Sequence, residues 1–97
     1  MIHKIGRTKF NTNTHTVIRG KIEIHLPPKQ FLLLKMLIEN KGKIVSVDEA
    51  MKYLEYDETN DAINPALISQ HICRLRKFLG ADGKYIQTIN RFGWIIK

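Results

Sequence analysis

Asn64-Pro65-Ala66-Leu67-Ile68-Ser69-Gln70-His71-Ile72-Cys73-Arg74-Leu75-Arg76-Lys77-Phe78-Leu79-Gly80 is the stretch whose reading decides the fold. Asparagine is a favoured helix N-cap, proline fits the first helical position and glycine often follows the last one, so a helix is predicted over 65–79. Ile68, Ile72, Leu75 and Leu79 recur at steps of four, three and four, the stripe with which an amphipathic helix seats itself on a core. That leaves Ala66, Ser69, Gln70, Cys73, Arg74 and Lys77 largely outward, on a polar and basic face.

Two shorter helices precede this one. Pro27-Pro28 punctuates the chain, after which Phe31, Leu34, Leu37 and Ile38 recur at helical spacing until Asn40-Lys41-Gly42. Ile44-Val45 reads as a brief extended link. Ser46-Val47-Asp48-Glu49 then has the S-x-x-E form in which serine and glutamate satisfy each other's free helix-end amides, so a second helix is predicted to run to about Leu54 with Ala50, Met51 and Leu54 inward. The polar stretch Glu55 to Ala62 ends it.

Strands flank the helices on both sides. Lys4-Ile5, Lys9-Phe10, Thr16-Val17-Ile18 and Lys21-Ile22-Glu23-Ile24 alternate as a small N-terminal antiparallel sheet. Gly20 suits the positive φ of a two-residue hairpin turn, and Ile22 and Ile24 share a face. Beyond Ala81-Asp82-Gly83, Tyr85 to Ile89 and Trp94 to Ile96 read as two strands joined by Asn90-Arg91-Phe92-Gly93, a closing β-hairpin.

Composition narrows the function classes. A chain of 97 residues can close one apolar core, so residues 1–97 are expected to form a single domain, and 43% hydrophobic with 26% charged residues is ordinary for a globular protein. No stretch approaches the roughly 20 apolar residues of a membrane span. The N-terminus lacks an apolar export core, and the lone Cys73 cannot form an intramolecular disulfide, so a reducing, cytoplasmic setting is expected. His3, His15, His25 and His71 lack metal-ligand spacing, and the glycine loops and nucleophile motifs of enzymes are missing. Neither a cofactor, a metal, a small-molecule substrate nor an enzymatic activity is therefore expected.

The net charge of +7 points to a polyanionic partner, and its distribution says more. Asp48, Glu49, Glu55, Asp57, Glu58 and Asp61 face only Lys52 within their segment, whereas Arg74, Arg76, Lys77, Lys84, Arg91 and Lys97 face only Asp82 after Asn64. Two short helices, a longer one with a basic outer face and a hairpin bearing Asn90 and Arg91 make the plan of an α+β winged helix-turn-helix. A helix fits the major groove of double-stranded DNA, where arginine can pair with guanine and glutamine with adenine. Gln70 and Arg74, four apart, can reach neighbouring base edges while Arg76, Lys77 and the helix N-terminus hold phosphates.

The same residues carry a resemblance. Gln70 to Leu79 resembles the V-H-I-x-R-L-R-K-x-L recognition helix of OmpR/PhoB-type regulators. Leu26-Pro27-Pro28-Lys29-Gln30-Phe31-Leu32-Leu33-Leu34 is similar to that family's L-T-P-x-E-F-x-L-L, Ile44-Val45-Ser46-Val47-Asp48-Glu49 to its V-V-S-R-E-E, and Tyr85-Ile86-Gln87-Thr88-Ile89 to its Y-I-x-T-V. The resemblance implies a four-stranded N-terminal sheet, three helices and a C-terminal hairpin, with the helix over 65–79 in the major groove and the wing at 90–93 in the minor groove. It implies base reading by Ser69, Gln70 and Arg74, and backbone contact by His71, Cys73, Arg76 and Thr88. It makes the 55–63 loop, with Asp57, Glu58 and Asp61, the place where such activators meet RNA polymerase. It also implies pairing of two copies on tandem half-sites.

The departures define what is open. Gln70 stands where valine is usual, Cys73 where a polar or basic residue is common, and Glu55 where tryptophan often ends the second helix. The wing motif R-G-x-G-Y is Asn90-Arg91-Phe92-Gly93-Trp94 here, so Arg91 replaces the usual minor-groove arginine one position later, and Trp94 is expected in the core. With Met1 so close to the first strand, no receiver domain is expected ahead of it. That layout resembles the ToxR/CadC-type subset, whose N-terminal winged helix is the cytoplasmic part of a membrane-anchored regulator. A winged helix that binds protein instead of DNA is the rival reading, and the salt dependence of binding to random duplex separates the two.

Overall fold

The computed structural model of the chain describes residues 1–55 and 65–97. Four strands, β1 (Ile2–Ile5), β2 (Thr8–Asn11), β3 (Thr16–Arg19) and β4 (Ile22–His25), form an antiparallel sheet in that order. Their register aligns His3, Phe10, Val17 and Ile24 across the sheet on one face and Lys4, Lys9, Ile18 and Glu23 on the other. Phe10 and Val17 are fully buried while Lys4, Lys9 and Glu23 are exposed, which is the alternation of a sheet wet on one side. Gly20 has a φ of 58° in the two-residue turn between β3 and β4, as the sequence predicted.

Helix α1 (Pro28–Glu39) starts on a proline at its first position and is closed by Asn40, whose side-chain amide donates to the Met36 carbonyl at 2.8 Å. It lies between the sheet and the other helices, so Phe31, Leu33, Leu34, Met36 and Leu37 are all buried rather than a single stripe of them. The Phe31 ring stacks on His15 at 3.6 Å between centroids and tilts against Phe10 at 5.7 Å. Helix α2 (Val47–Glu55) is capped by Ser46, whose hydroxyl accepts from the Glu49 backbone N–H at 3.1 Å. Ala50 and Leu54 are buried and Met51 packs on the core from its margin.

Helix α3 (Pro65–Leu79) carries its stripe as predicted: Ile68, Ile72, Leu75 and Leu79 have no exposed surface. Gly80 then turns the chain with a φ of 59° into a 3₁₀ segment, Gly80–Tyr85. Tyr85 belongs to this segment, and the strand predicted to begin there begins one residue later. Two contacts tie the segment to the distant N-terminal sheet. The Arg19 guanidinium donates to the Leu79 carbonyl at 3.3 Å, a cation at a helix C-terminus, and the Asp82 carboxylate accepts from the Thr8 hydroxyl at 2.6 Å and the Arg7 backbone N–H at 3.1 Å.

Strands β6 (Ile86–Ile89) and β7 (Gly93–Ile96) make the closing hairpin, but they do not stand alone. The link read as merely extended contributes β5 (Val45–Ser46), which pairs with β7 to give a three-stranded sheet in the order β5-β7-β6. Gly93 makes that pairing possible. Its φ is 153°, and a Cβ there would meet the Val45 carbonyl. Trp94 is buried opposite Val45, in the core as expected.

Candidate nucleic-acid interface

With its apolar stripe fixed on α1 and α2, α3 has no freedom over which face it offers to solvent. Ser69, Gln70, Cys73, Arg74 and Lys77 are exposed, together with Ala66. Ser69, Gln70 and Arg74, the expected base-reading set, therefore lie on the open side of one rigid helix, and Lys77 extends the cationic side toward its C-terminal end.

His71 and Arg76 sit lower on the flanks and are half-buried. The His71 ring nitrogen Nδ1 is 3.1 Å from the side-chain nitrogen of the buried Gln30, which joins the start of α1 to the middle of α3. Arg76 reaches in the opposite direction. Its Nε donates to the Ile86 carbonyl at 3.0 Å and its Nη2 to the Thr88 hydroxyl oxygen at 2.7 Å. The guanidinium thus ties the recognition helix to the first strand of the hairpin. Thr88 is itself exposed and keeps its hydroxyl hydrogen for donation.

At the wing tip Asn90, Arg91 and Phe92 are all exposed. The turn is closed by a hydrogen bond from the Phe92 N–H to the Ile89 carbonyl at 3.0 Å, and Arg91 adopts a left-handed φ of 69°, rare for a residue with a side chain. A crevice of about 260 Å³ separates the wing from α3, with Val47, Ser69, Thr88, Phe92 and Trp94 among its walls. The helix face and the wing tip accordingly stand as two projections with a slot between them.

Sequence reasoning brought Ser69, Gln70, Cys73, Arg74 and Lys77 to one face correctly, and it placed Thr88, Asn90 and Arg91 on the hairpin beside it. It did not foresee the Arg76 and His71 tethers or the exposed Phe92. Asp57, Glu58 and Asp61 lie outside the described residues. Among the described residues no group of His, Cys, Asp and Glu could hold a metal ion, and no helix is long and apolar enough to cross a membrane.

Residues 21–96 match the family of transcriptional regulatory proteins, C terminal. The chain belongs to this family, that of the OmpR/PhoB-type DNA-binding domain. It is a family of transcription regulators and not of enzymes. The regulatory protein VanR of Enterococcus faecium is 32% identical over 91 residues, which is 91% of this chain and 39% of VanR. The chain spans well under half the length of the curated relatives it matches first. Among solved structures, the response regulator DrrB of Thermotoga maritima, described as an OmpR/PhoB homolog, superposes with a TM-score of 0.80 at 29% identity, over 99% of this chain and 44% of DrrB. The DNA-binding domain of Klebsiella pneumoniae RstA, solved in complex with the RstA box, has the same fold, with a TM-score of 0.76 at 23% identity over 98% of this chain and 95% of the domain.

Proposed function

We propose that residues 1–97 form one domain that binds double-stranded DNA sequence-specifically to regulate transcription, with α3 in the major groove and the wing at the minor groove. The observation that carries this reading is the exposed face of α3, where Gln70 and Arg74 project from a helix whose opposite side is immobilised in the core. A base-reading side chain must be held in register with the groove, and a helix fastened by four fully buried residues supplies that rigidity. A radius of gyration of 12.5 Å, against roughly 13 Å for a compact chain of 100 residues, supports one domain.

In this reading Ser69, Gln70 and Arg74 face base edges, since Arg and Gln can each present two hydrogen-bonding groups to a purine. His71, Cys73, Lys77, Thr88, Asn90 and Arg91 line the sugar-phosphate backbone or the minor groove. Arg76 combines its tether with a phosphate contact. Binding is expected to be strongest at low salt and to weaken steeply as salt rises, because each neutralised phosphate releases counterions. Titrating a fluorescent random duplex at several salt concentrations tests this, and failure to bind at low salt would reject the DNA reading.

Two further partners belong to the same reading. The acidic residues Asp57, Glu58 and Asp61 offer a surface for RNA polymerase, so neutralising all three is expected to lower transcription activation while leaving DNA affinity intact. A parallel loss of DNA binding would reject that role. A second copy on a tandem half-site is the other expected partner, and a complex with only one chain on a site carrying two repeats would count against it. Such a regulator works in the cytoplasm, either free or held at the membrane by another segment, and cell fractionation distinguishes the two.

A further inference from the structure

The wing tip bears a side chain that neither the charge pattern nor the core explains. Phe92 is 66% exposed, whereas the other aromatic residue of this hairpin, Trp94, is buried. A phenylalanine in a turn exposes apolar surface that a polar residue would not, and an exposed aromatic beside a binding surface is a frequent anchor. The turn beneath it is also fixed. The Phe92 N–H is bonded to the Ile89 carbonyl, Arg91 is held in the left-handed region, and Gly93 is pressed against β5. Strained positions of this kind persist where the surrounding structure over-determines them, so the ring is offered from a defined platform.

Phe92 also lines the crevice between α3 and the wing. The same crevice is lined by the carbon-rich Val47 and Trp94, by the hydroxyl-bearing Ser69 and Thr88, and by the polar Asn90 and the charged Arg91. A duplex gripped by α3 in one groove and by the wing in the next must pass the strand that separates those grooves through this slot. Its phosphates call for a cation and an amide, which Arg91 and Asn90 supply. The deoxyribose between them is the apolar part of the strand, and it matches a wall of Phe, Val and Trp carbons far better than a phosphate would.

We propose that the crevice is a deoxyribose subsite and that Phe92 packs against the sugar of the strand crossing it, which makes Phe92 a DNA contact that adds affinity without adding charge. The inference rests on the DNA reading above and deepens it. Apolar burial is insensitive to counterion release, so this contact differs from those of Arg74, Lys77 and Arg91 in its salt dependence.

The test compares the wild-type chain with Phe92→Ala and Phe92→Leu on one duplex selected from a random pool, by fluorescence anisotropy at several salt concentrations. Phe92→Ala is expected to bind about fivefold to tenfold more weakly, in keeping with loss of part of a buried phenylalanine, with the slope of log affinity against log salt unchanged. Phe92→Leu, which keeps most of the apolar volume, should stay within about twofold of wild type. Thermal unfolding should be the same for all three chains, since the ring is exposed in the free protein. Wild-type affinity for Phe92→Ala, or a loss that comes with a shallower salt slope, would overturn the subsite while leaving the DNA reading standing. Absence of wild-type binding to any duplex would overturn both.

Discussion

The recognition helix and the wing share one core but are fastened to it differently. Helix α3 is held by its own side chains, with Ile68, Ile72, Leu75 and Leu79 sunk completely into the core. The wing hairpin is held by side chains too, since Ile86, Trp94 and Ile96 are buried, but also by backbone and by one guanidinium: β7 pairs with β5 through the close approach at Gly93, and Arg76 hydrogen-bonds to Ile86 and Thr88. The outward residues of α3 can therefore vary without touching what anchors it, which accommodates Gln70 and Cys73 at positions where the family commonly carries others. The wing has less latitude, because its position depends on a glycine and on an arginine that belongs to the other projection.

Substitutions at the anchors should separate the two. Ile72→Ala empties a fully buried site on α3 and is expected to lower stability by about 2–5 kcal/mol in chemical denaturation, the ordinary cost of such a truncation. A loss below that range would mean that α3 is not fixed by its stripe. Gly93→Ala forces a Cβ against the Val45 carbonyl, which as backbone cannot move aside easily, and should cost roughly 1–3 kcal/mol of stability while weakening DNA binding through displacement of the wing. An alanine variant of native stability and affinity would show that the wing is not held where β5 meets β7.

On DNA the contrast is between reading and bracing. Arg74→Ala, on the open face of α3, is expected to cost about 1–3 kcal/mol on the cognate site and to flatten preference at one base pair. Equal losses on cognate and random duplex would remove Arg74 from base reading. Arg76→Ala should weaken all duplexes together by about 1 kcal/mol, the net worth of the hydrogen bonds that steady the wing. Its salt dependence sharpens the point. A slope shallower by about 0.9 marks a phosphate contact, while an unchanged slope assigns Arg76 to the tether alone.

What could be read from the sequence was what repeats or caps locally. The stripe of α3 was legible because four apolar residues keep helical phase over three turns, and the start of α2 because Ser46 and Glu49 announce it together. The β3–β4 hairpin was legible from Gly20 and its flanking alternation. What could not be read depends on pairs far apart in the chain. Val45-Ser46 is too short to show alternation, and only its partner Trp94 makes it a strand. Asp82 looked like a stray acid in a basic segment, whereas it binds Thr8 and the Arg7 amide across the molecule. Arg76 and His71 carry family-like identities, and charge and spacing say nothing of the carbonyl, hydroxyl and amide that each has met in the folded chain.

The most direct measurement selects bound duplexes from a random pool with the wild-type chain and then compares the best of them with a scrambled duplex of equal composition at one salt concentration. The expected result is binding about a thousandfold or more tighter to the selected sequence, with both affinities falling as salt rises. Equal affinity for the two duplexes would contradict sequence-specific recognition by the exposed face of α3.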